Sequence, residues 1–189
     1  MIQVKDVFEV MEHVLRLKRF NRSGWCYYGV FSPESIADHS FSVSFLAMLL
    51  LEFFKDRGYD IDEAKVMKMA VLHEIGEARL GDLQLDARRL LGVDYISQVE
   101  RRAVSEVLEA FPKLSKLWNE FEDGETVEAL IVKIADKLEL MLQALDYEKR
   151  GARNLDKIFS DSENTKKFSK LPFIEEFVNE ICKNRGEKR

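Results

Sequence analysis

The chain has 189 residues with a hydrophobic share of 46% and a charged share of 33%, a balance typical of a globular protein that excludes a disordered chain. A formal net charge of −5 at neutral pH argues against a general nucleic-acid binder, because such proteins normally present a net basic surface. The longest apolar run, residues 45–51, is far shorter than the roughly 20 residues that cross a bilayer, so we predict a single domain over residues 1–189 with no membrane anchor.

Apolar residues recur at helical spacing along nearly the whole chain, and no sustained alternation of apolar and polar residues indicates a strand. We therefore predict an all-α fold. The predicted helices cover residues 3–18, 33–57, 62–79, 85–91, 94–111, 113–121, 125–149 and 172–184, with a further short helix near 162–169. Ser32, Pro33 and Glu34 supply a capping hydroxyl, a proline at the first helical position and a carboxylate near the helix dipole, which places the start of the second helix there.

The segment 20–31 lacks helical spacing and is predicted to be a loop rich in aromatic residues. The two cysteines, Cys26 and Cys182, are too few for a disulfide framework and have no CxxC spacing. The N-terminal residues are already amphipathic and lack the basic end and continuous apolar stretch of a signal peptide. We expect a cytoplasmic protein with reduced thiols.

Two of the three histidines, His39 and His73, lie within apolar helical runs, where an imidazole must find a hydrogen-bond partner or bind an ion. Taken singly, each is more often a packing residue than a ligand. Glu74 follows His73 directly, and Asp136 lies in another apolar run. Two imidazoles and two carboxylates suit Mn²⁺, Co²⁺, Fe²⁺, Ni²⁺ or Zn²⁺, whereas Mg²⁺ prefers oxygen alone. These four side chains therefore predict one metal site between helices.

Other side chains near these positions have two interpretations each. Glu77 lies four residues after His73 and can move a proton at the site, or it is a surface residue paired with Arg79 or Lys68. Arg19 and Arg22 precede Trp25, and a guanidinium fits phosphate oxygens while an indole can pack against a sugar or base. By composition alone, the aromatic cluster around Trp25 is more often packing than a substrate platform.

The order His39, then His73-Glu74, then Asp136 resembles the HD-domain metal-dependent phosphohydrolases, whose signature is a His, a later His-Asp pair and a distal Asp. The stretches 17–25, 33–39, 73–82 and 144–148 are similar to the 5′-deoxynucleotidase branch of that family. One departure concerns the namesake Asp, which is Glu74 here. Another concerns Gly24, which stands where part of the family has an Arg immediately before the Trp.

The resemblance implies a helical bundle with a core at about 15–150 and a C-terminal helical extension at 151–189. It implies release of phosphate from deoxyribonucleoside 5′-monophosphates, with Mn²⁺ or Co²⁺ as the preferred metal and Fe²⁺, Ni²⁺, Zn²⁺ or Mg²⁺ as the others. The implied site comprises the catalytic acids Glu77 and Asp82, the substrate-binding residues Arg19, Arg22 and Trp25, and the metal ligands His39, His73, Glu74 and Asp136. A homodimer is also implied. The apolar clusters Phe53-Phe54 and Phe173, Ile174 and Phe177 would fit its interface or form part of the core.

Two alternatives stay open at the level of sequence. One is another HD phosphohydrolase that acts on nucleoside polyphosphates or cyclic nucleotides, although it would need a larger cationic cradle than Arg19 and Arg22 supply. The other is a module that binds a metal ion or nucleotide without turnover, because Glu74 replaces the family Asp.

Overall fold

The computed structural model describes residues 1–160 and 174–186, and in this part of the chain regular structure is helical, with one isolated bridge between Asn21 and Ser35. The helices are α1 (Val4–Leu17), a 3₁₀ helix (Ser23–Tyr28), α2 (Ile36–Asp56), α3 (Glu63–Leu72), α4 (Glu77–Leu80), α5 (Leu85–Leu91), α6 (Val93–Val107), α7 (Pro112–Asp123), α8 (Val127–Lys149), α9 (Asp156–Ser160) and α10 (Ile174–Gly186). The predicted all-α fold is confirmed. The short helix predicted near 162–169 lies outside the described residues.

The two long helices α2 and α8 pack against each other, and α3 packs against both. The buried face of α2 is a stripe at helical spacing, formed by Ile36, His39, Val43, Ala47, Leu50 and Phe54. On α8 the buried face includes Ile131, Ala135 and Leu138. Because His39 falls within the apolar stripe of α2, packing of α2 on α8 carries its imidazole into the interior.

The start of α2 differs from the prediction. The helix begins at Ile36 and Ser35 is its N-cap, so the predicted start at Ser32-Pro33 is wrong. The Ser35 hydroxyl accepts the backbone N–H of Asp38 at 3.1 Å, and the Asp38 carboxylate accepts the backbone N–H of Ser35 at 2.9 Å. These two bonds form a capping box, which satisfies two backbone donors at once. The pKa of Asp38 is lowered by a bond from the Ser35 hydroxyl at 2.7 Å and by the bond from the Ser35 backbone N–H. Because His39 follows Asp38 directly, the cap also sets its direction.

The helix predicted over 62–79 is interrupted in its middle. The segment ends as α3 at Leu72 and resumes as α4 at Glu77. The indole N–H of Trp118 donates to the His73 carbonyl oxygen at 3.1 Å, while the backbone N–H of Glu77 bonds the Glu74 carbonyl at 3.0 Å. A continuous helix would have joined Glu77 to the His73 carbonyl. The tertiary bond from α7 therefore replaces a local one and tightens the turn at the site.

An apolar strip of the surface, here called the α2 strip, consists of Phe41, Phe45, Met48 and Leu49 of α2 and Leu142 of α8. Phe41 is 70% exposed and Phe45 is 50% exposed. Among the described residues, α2 is also the helix whose length and composition would allow it to cross a membrane, which is weak evidence by itself. Its other face packs in the core.

The aromatic clusters suggested for a dimer interface belong to the core where they are described. Phe54 and Ile174 are buried, and the ring of Phe53 packs edge-on against Phe177 at 5.0 Å between centroids. Phe173 lies outside the described residues. These contacts join α10 to the end of α2. The clusters therefore form part of the core, which was one of the two interpretations of the sequence.

Candidate metal centre

Three helical segments bring nitrogen and oxygen donors to one point. His39 Nε2 of α2, His73 Nε2 at the end of α3 and a carboxylate oxygen of Glu74 all lie within 4.8 Å of one another. The two Nε2 atoms are 3.4 Å apart, and Glu74 Oε1 is 3.6 Å from His39 Nε2 and 3.8 Å from His73 Nε2. From α8, Asp136 Oδ1 approaches His39 Nε2 at 3.3 Å. Three of the four predicted ligands therefore form one close group, and the fourth, Asp136, adjoins it at His39.

The hydrogen bonds of the two imidazole rings show how this group fits a cation. His73 Nδ1 lies 2.7 Å from the carbonyl oxygen of Ala70, which can only accept, so Nδ1 carries the proton. His39 Nδ1 lies 2.6 Å from a carboxylate oxygen of Glu139 and is placed to donate to it. In the neutral rings, both Nε2 atoms then present lone pairs toward each other and toward carboxylate oxygens. A bound cation would attract these lone pairs and remove the repulsion between the donor atoms.

The charges around the site keep the carboxylates ionised. Burial raises the pKa of Asp136, but Lys137 and the hydrogen bond with His39 outweigh it and hold that pKa well below its usual range. Burial likewise opposes ionisation of Glu74, yet His73 and Arg22 lower its pKa. Burial lowers the pKa of His39, but the hydrogen bonds to Asp136 and Glu139 more than offset this and raise it to about 9. The site thus favours positive charge at its centre.

Arg22 reaches this centre. Its Nη1 donates to Glu74 Oε1 at 2.9 Å, and the side chains of Arg22 and Glu74 are 15% and 16% exposed. The neighbouring carboxylates raise the pKa of Arg22 despite its burial, so it is a permanent cation. Arg19 is placed differently, because it is exposed and lines a surface groove with residues of α1. Only one of the two predicted phosphate-binding arginines therefore lies among the donors.

Trp25 is buried and only 2% of its surface is exposed. Its indole N–H donates to Glu34 Oε1 at 3.0 Å, and its ring packs edge-on against Tyr147 at 4.9 Å between centroids. The Tyr147 hydroxyl in turn accepts the backbone N–H of Glu34 at 2.8 Å. The structure thus places Trp25 in the core beside α8, and its predicted contact with substrate stays a prediction.

The two predicted catalytic acids have different surroundings. Glu77 Oε2 is buried and has no hydrogen-bond partner among the described residues, and burial together with Glu74 raises the pKa of Glu77 to about 10. A carboxyl group in this state holds a proton at neutral pH. Asp82 Oδ2 instead accepts bonds from the backbone N–H and, at 2.9 Å, the hydroxyl of Ser23. These bonds fasten the 3₁₀ helix to the loop after α4.

Comparison with known proteins identifies the family. The profile described as HD domain matches residues 14–175, which is most of the chain. The chain belongs to the HD-domain family. Among its relatives, 5′-deoxynucleotidase HDDC2 of Dictyostelium discoideum is 37% identical, with 76% of this chain and 78% of that protein covered. The protein of the same name from Xenopus laevis is 33% identical, with 96% and 89% covered.

A solved structure agrees with the fold. The PH0347 protein from Pyrococcus horikoshii OT3 is 35% identical and superposes with a TM-score of 0.82, covering 96% of this chain and 99% of that one. The family resemblance and the single helical bundle predicted from the sequence are therefore confirmed. The signature pair of the family is His-Asp, and here the second position, Glu74, carries a longer arm that also reaches Arg22.

Two acids on the far side of His39 were not predicted as part of the site, one buried and one half-buried. Glu139 is 4% exposed and contacts His39 Nδ1, and Glu34 lies within 4.8 Å of both. A signal for Glu139 was present, since it follows Asp136 by three residues and therefore shares its face of an otherwise apolar helix. Glu34 had no such signal, because it lies before the helix and reaches the cluster only through the fold.

Proposed function

We propose that this HD-domain protein is a metal-dependent phosphohydrolase that releases phosphate from deoxyribonucleoside 5′-monophosphates. The observation that carries the proposal is the convergence of two imidazole Nε2 atoms and the Glu74 carboxylate, with Asp136 beside His39 Nε2 and the half-buried Arg22 bonded to Glu74. Relatives named 5′-deoxynucleotidase, which match most of the chain, support the substrate class. A monophosphate also suits the site better than a polyphosphate does, because among the described residues Arg22 is the arginine bonded to the predicted ligands.

The metal ligands in this proposal are His39, His73, Glu74 and Asp136. Their mixed nitrogen and oxygen donors suit a divalent transition metal, which we take to be Mn²⁺ or Co²⁺, with Fe²⁺, Ni²⁺, Zn²⁺ or Mg²⁺ as the alternatives. When bound, such an ion would polarise a phosphoryl oxygen and lower the pKa of water.

The protein's own groups supply the remaining chemistry. Arg22 has donors beyond the one directed at Glu74, and these would bind the phosphate oxygens. Glu77 holds a proton on a buried carboxyl and would donate it to the 5′-oxygen as the P–O bond breaks and water attacks phosphorus. Asp82 is proposed as the second acid, with its position set by Ser23. Arg19 and Trp25 are retained as proposed substrate contacts.

A phosphate-release assay over deoxy- and ribonucleoside monophosphates, nucleoside triphosphates and cyclic nucleotides, with each divalent metal, tests the proposal. We expect release from deoxyribonucleoside monophosphates with Mn²⁺ or Co²⁺ and its loss in Asp136→Asn. The matched control is Asp146→Asn on the same helix, which breaks a surface ion pair with Arg150 at 2.7 Å and should keep activity. Release only from triphosphates or cyclic nucleotides would favour the other HD chemistry.

A second function is favoured by one contact. The Arg22 guanidinium bonds the same Glu74 oxygen that lies nearest both imidazoles, which would also suit a module that binds a metal or nucleotide without turnover. Metal binding without release of phosphate from any nucleotide would support this function and exclude the enzyme.

We further propose that the protein is a cytoplasmic homodimer joined through the α2 strip. An apolar strip is self-complementary, so a second copy of the same surface covers it across a two-fold axis, and stable interfaces bury about 800 Å² per partner. Phe45→Glu should give a monomer by light scattering. The control Phe8→Glu alters a residue of similar exposure, 68%, on α1 and should leave the dimer intact. A monomeric wild-type protein would contradict the proposal.

A further inference from the structure

The buried carboxylate of Glu139 lies directly behind His39, on the side of the ring away from the other donors. We propose that Glu139 is a positioning residue for the metal centre, which holds the proton on His39 Nδ1 and turns Nε2 toward His73 and Asp136. This inference rests on the proposed function only in assuming that the cluster binds a metal ion.

The contact between Glu139 and His39 Nδ1 has the geometry expected of a group that orients an imidazole ring. His39 is fully buried and Glu139 is 4% exposed, so bulk water is not an alternative partner for Nδ1. The 2.6 Å distance between His39 Nδ1 and the Glu139 oxygen is that of a short hydrogen bond. A metal-binding imidazole needs its second nitrogen held in this way, because the ring otherwise rotates or presents the wrong tautomer.

Placement on α8 makes the arrangement rigid. Asp136 and Glu139 are three residues apart in one helix, so their side chains leave the same face. Asp136 approaches His39 Nε2 at 3.3 Å and Glu139 approaches Nδ1, so one helix contacts both nitrogens of the ring. Any shift of α8 would move the ligand and the orienting group together.

A second metal ion is the main competing explanation, because Glu34, His39 and Glu139 also bring three donor atoms within 4.8 Å. Hydrogen bonds account for this group without an ion. Glu34 accepts the Trp25 indole N–H at 3.0 Å and Glu139 accepts from His39. Burial and the neighbouring Glu139 also raise the pKa of Glu34, which reduces the repulsion between the two acids.

The test is Mn²⁺ affinity, measured by competition with a chelator, in Glu139→Gln. This substitution conserves size, so the variant should fold, which a thermal melt verifies. The amide oxygen of Gln is an uncharged and weaker acceptor for the Nδ1 proton, so we expect Mn²⁺ binding to weaken about 10- to 100-fold, the usual effect of mutating an outer partner of a metal-binding His. Glu148→Gln is the matched control, because it removes a partly buried carboxylate of the same helix that pairs with Arg185 at 2.6 Å. It should bind Mn²⁺ like the wild type.

A second measurement reports the tautomer directly. In Zn²⁺-bound wild-type protein, long-range ¹H–¹⁵N NMR should place a proton on His39 Nδ1 and leave Nε2 unprotonated. Wild-type Mn²⁺ affinity in Glu139→Gln, or ligation through Nδ1, would overturn the proposal. Two bound ions per chain, reduced to one in Glu139→Gln, would also overturn it in favour of a second metal site. If the wild-type protein binds Mn²⁺ and Glu139→Gln binds it more weakly, but the wild type releases no phosphate, the proposed enzyme is rejected and the proposed role of Glu139 is retained.

Discussion

Glu74→Asp restores the residue that the family normally has and tests whether this site depends on the longer side chain. Glu74 Oε1 lies 3.6 Å from His39 Nε2 and 3.8 Å from His73 Nε2. Loss of one methylene withdraws the carboxylate by about 1.5 Å, one C–C bond, so its oxygen would lie roughly 5 Å from both imidazoles. We therefore expect the family residue to weaken metal binding here.

The magnitude follows from the displaced ligand oxygen. Substitutions around a metal site typically change metal affinity by about 10- to 100-fold. The change also lengthens the 2.9 Å bond from Arg22 to Glu74, but that bond exists without a metal ion and contributes to the stability of the fold. Chelator competition should show that loss for Mn²⁺. Phosphate release from a deoxyribonucleoside monophosphate at saturating Mn²⁺ should fall by no more than about 10²-fold, the scale of changes around a metal site.

Glu148→Asp is the control for Glu74→Asp. Glu148 is similarly half-buried, with 22% of its side chain exposed, and it also pairs with an arginine. This variant should lose stability without changing Mn²⁺ affinity. Tighter Mn²⁺ binding by Glu74→Asp would refute the argument from side-chain length. If the wild-type protein releases no phosphate while Glu74→Asp does, the natural chain is a binding module.

Three further predictions concern the turn at the site. Glu77→Gln should lower turnover by about 10² to 10⁴ with unchanged Mn²⁺ affinity, because it removes the proton donor, and near-normal turnover would limit Glu77 to a structural role. In the folded, metal-free protein the pKa of Glu77 is about 10, whereas in the unfolded chain it is about 4.3. Between these pH values the folded protein holds a proton that the unfolded chain has released, so the free energy of unfolding should fall as pH rises. Melting temperatures measured across that range should fall more steeply in wild type than in Glu77→Gln, and parallel curves would contradict the raised pKa. Trp118→Phe should cost about 1–3 kcal/mol in urea unfolding, because the buried His73 carbonyl loses its donor, and a change below about 0.5 kcal/mol would show that the turn does not need it.

Much of the candidate site was predicted from the sequence because each residue stands out from its immediate neighbours in the chain. The two histidines and Asp136 were recognisable as polar residues within apolar helical runs, and the structure brings them to one point. Their roles as ligands stay predictions until a metal ion is measured. Arg22 was recognisable by its place before Trp25, but the same pattern did not separate it from Arg19, which is exposed.

The sequence by itself determined the all-α class, the membership of the HD-domain family and the stripe that carries His39 into the core. The helical class and the buried stripe depend on composition and on apolar residues within one or two helical turns of each other. Family membership depends on the type and order of a few residues, which can be read directly along the chain. Such local patterns do not depend on how the rest of the chain packs.

Only the tertiary structure decided the features that join distant residues. Trp118 breaks the helix at His73 from 45 residues away, and Glu139 holds His39 from a separation of 100 residues. Trp25 is buried because Tyr147, on the last long helix, packs against its ring. Each contact depends on the packing of α2, α7 and α8 around one core, where a buried polar group must take whichever partner that packing brings within reach. Local sequence places Glu139 on the same helix face as Asp136, but it does not specify that His39 is the residue it meets.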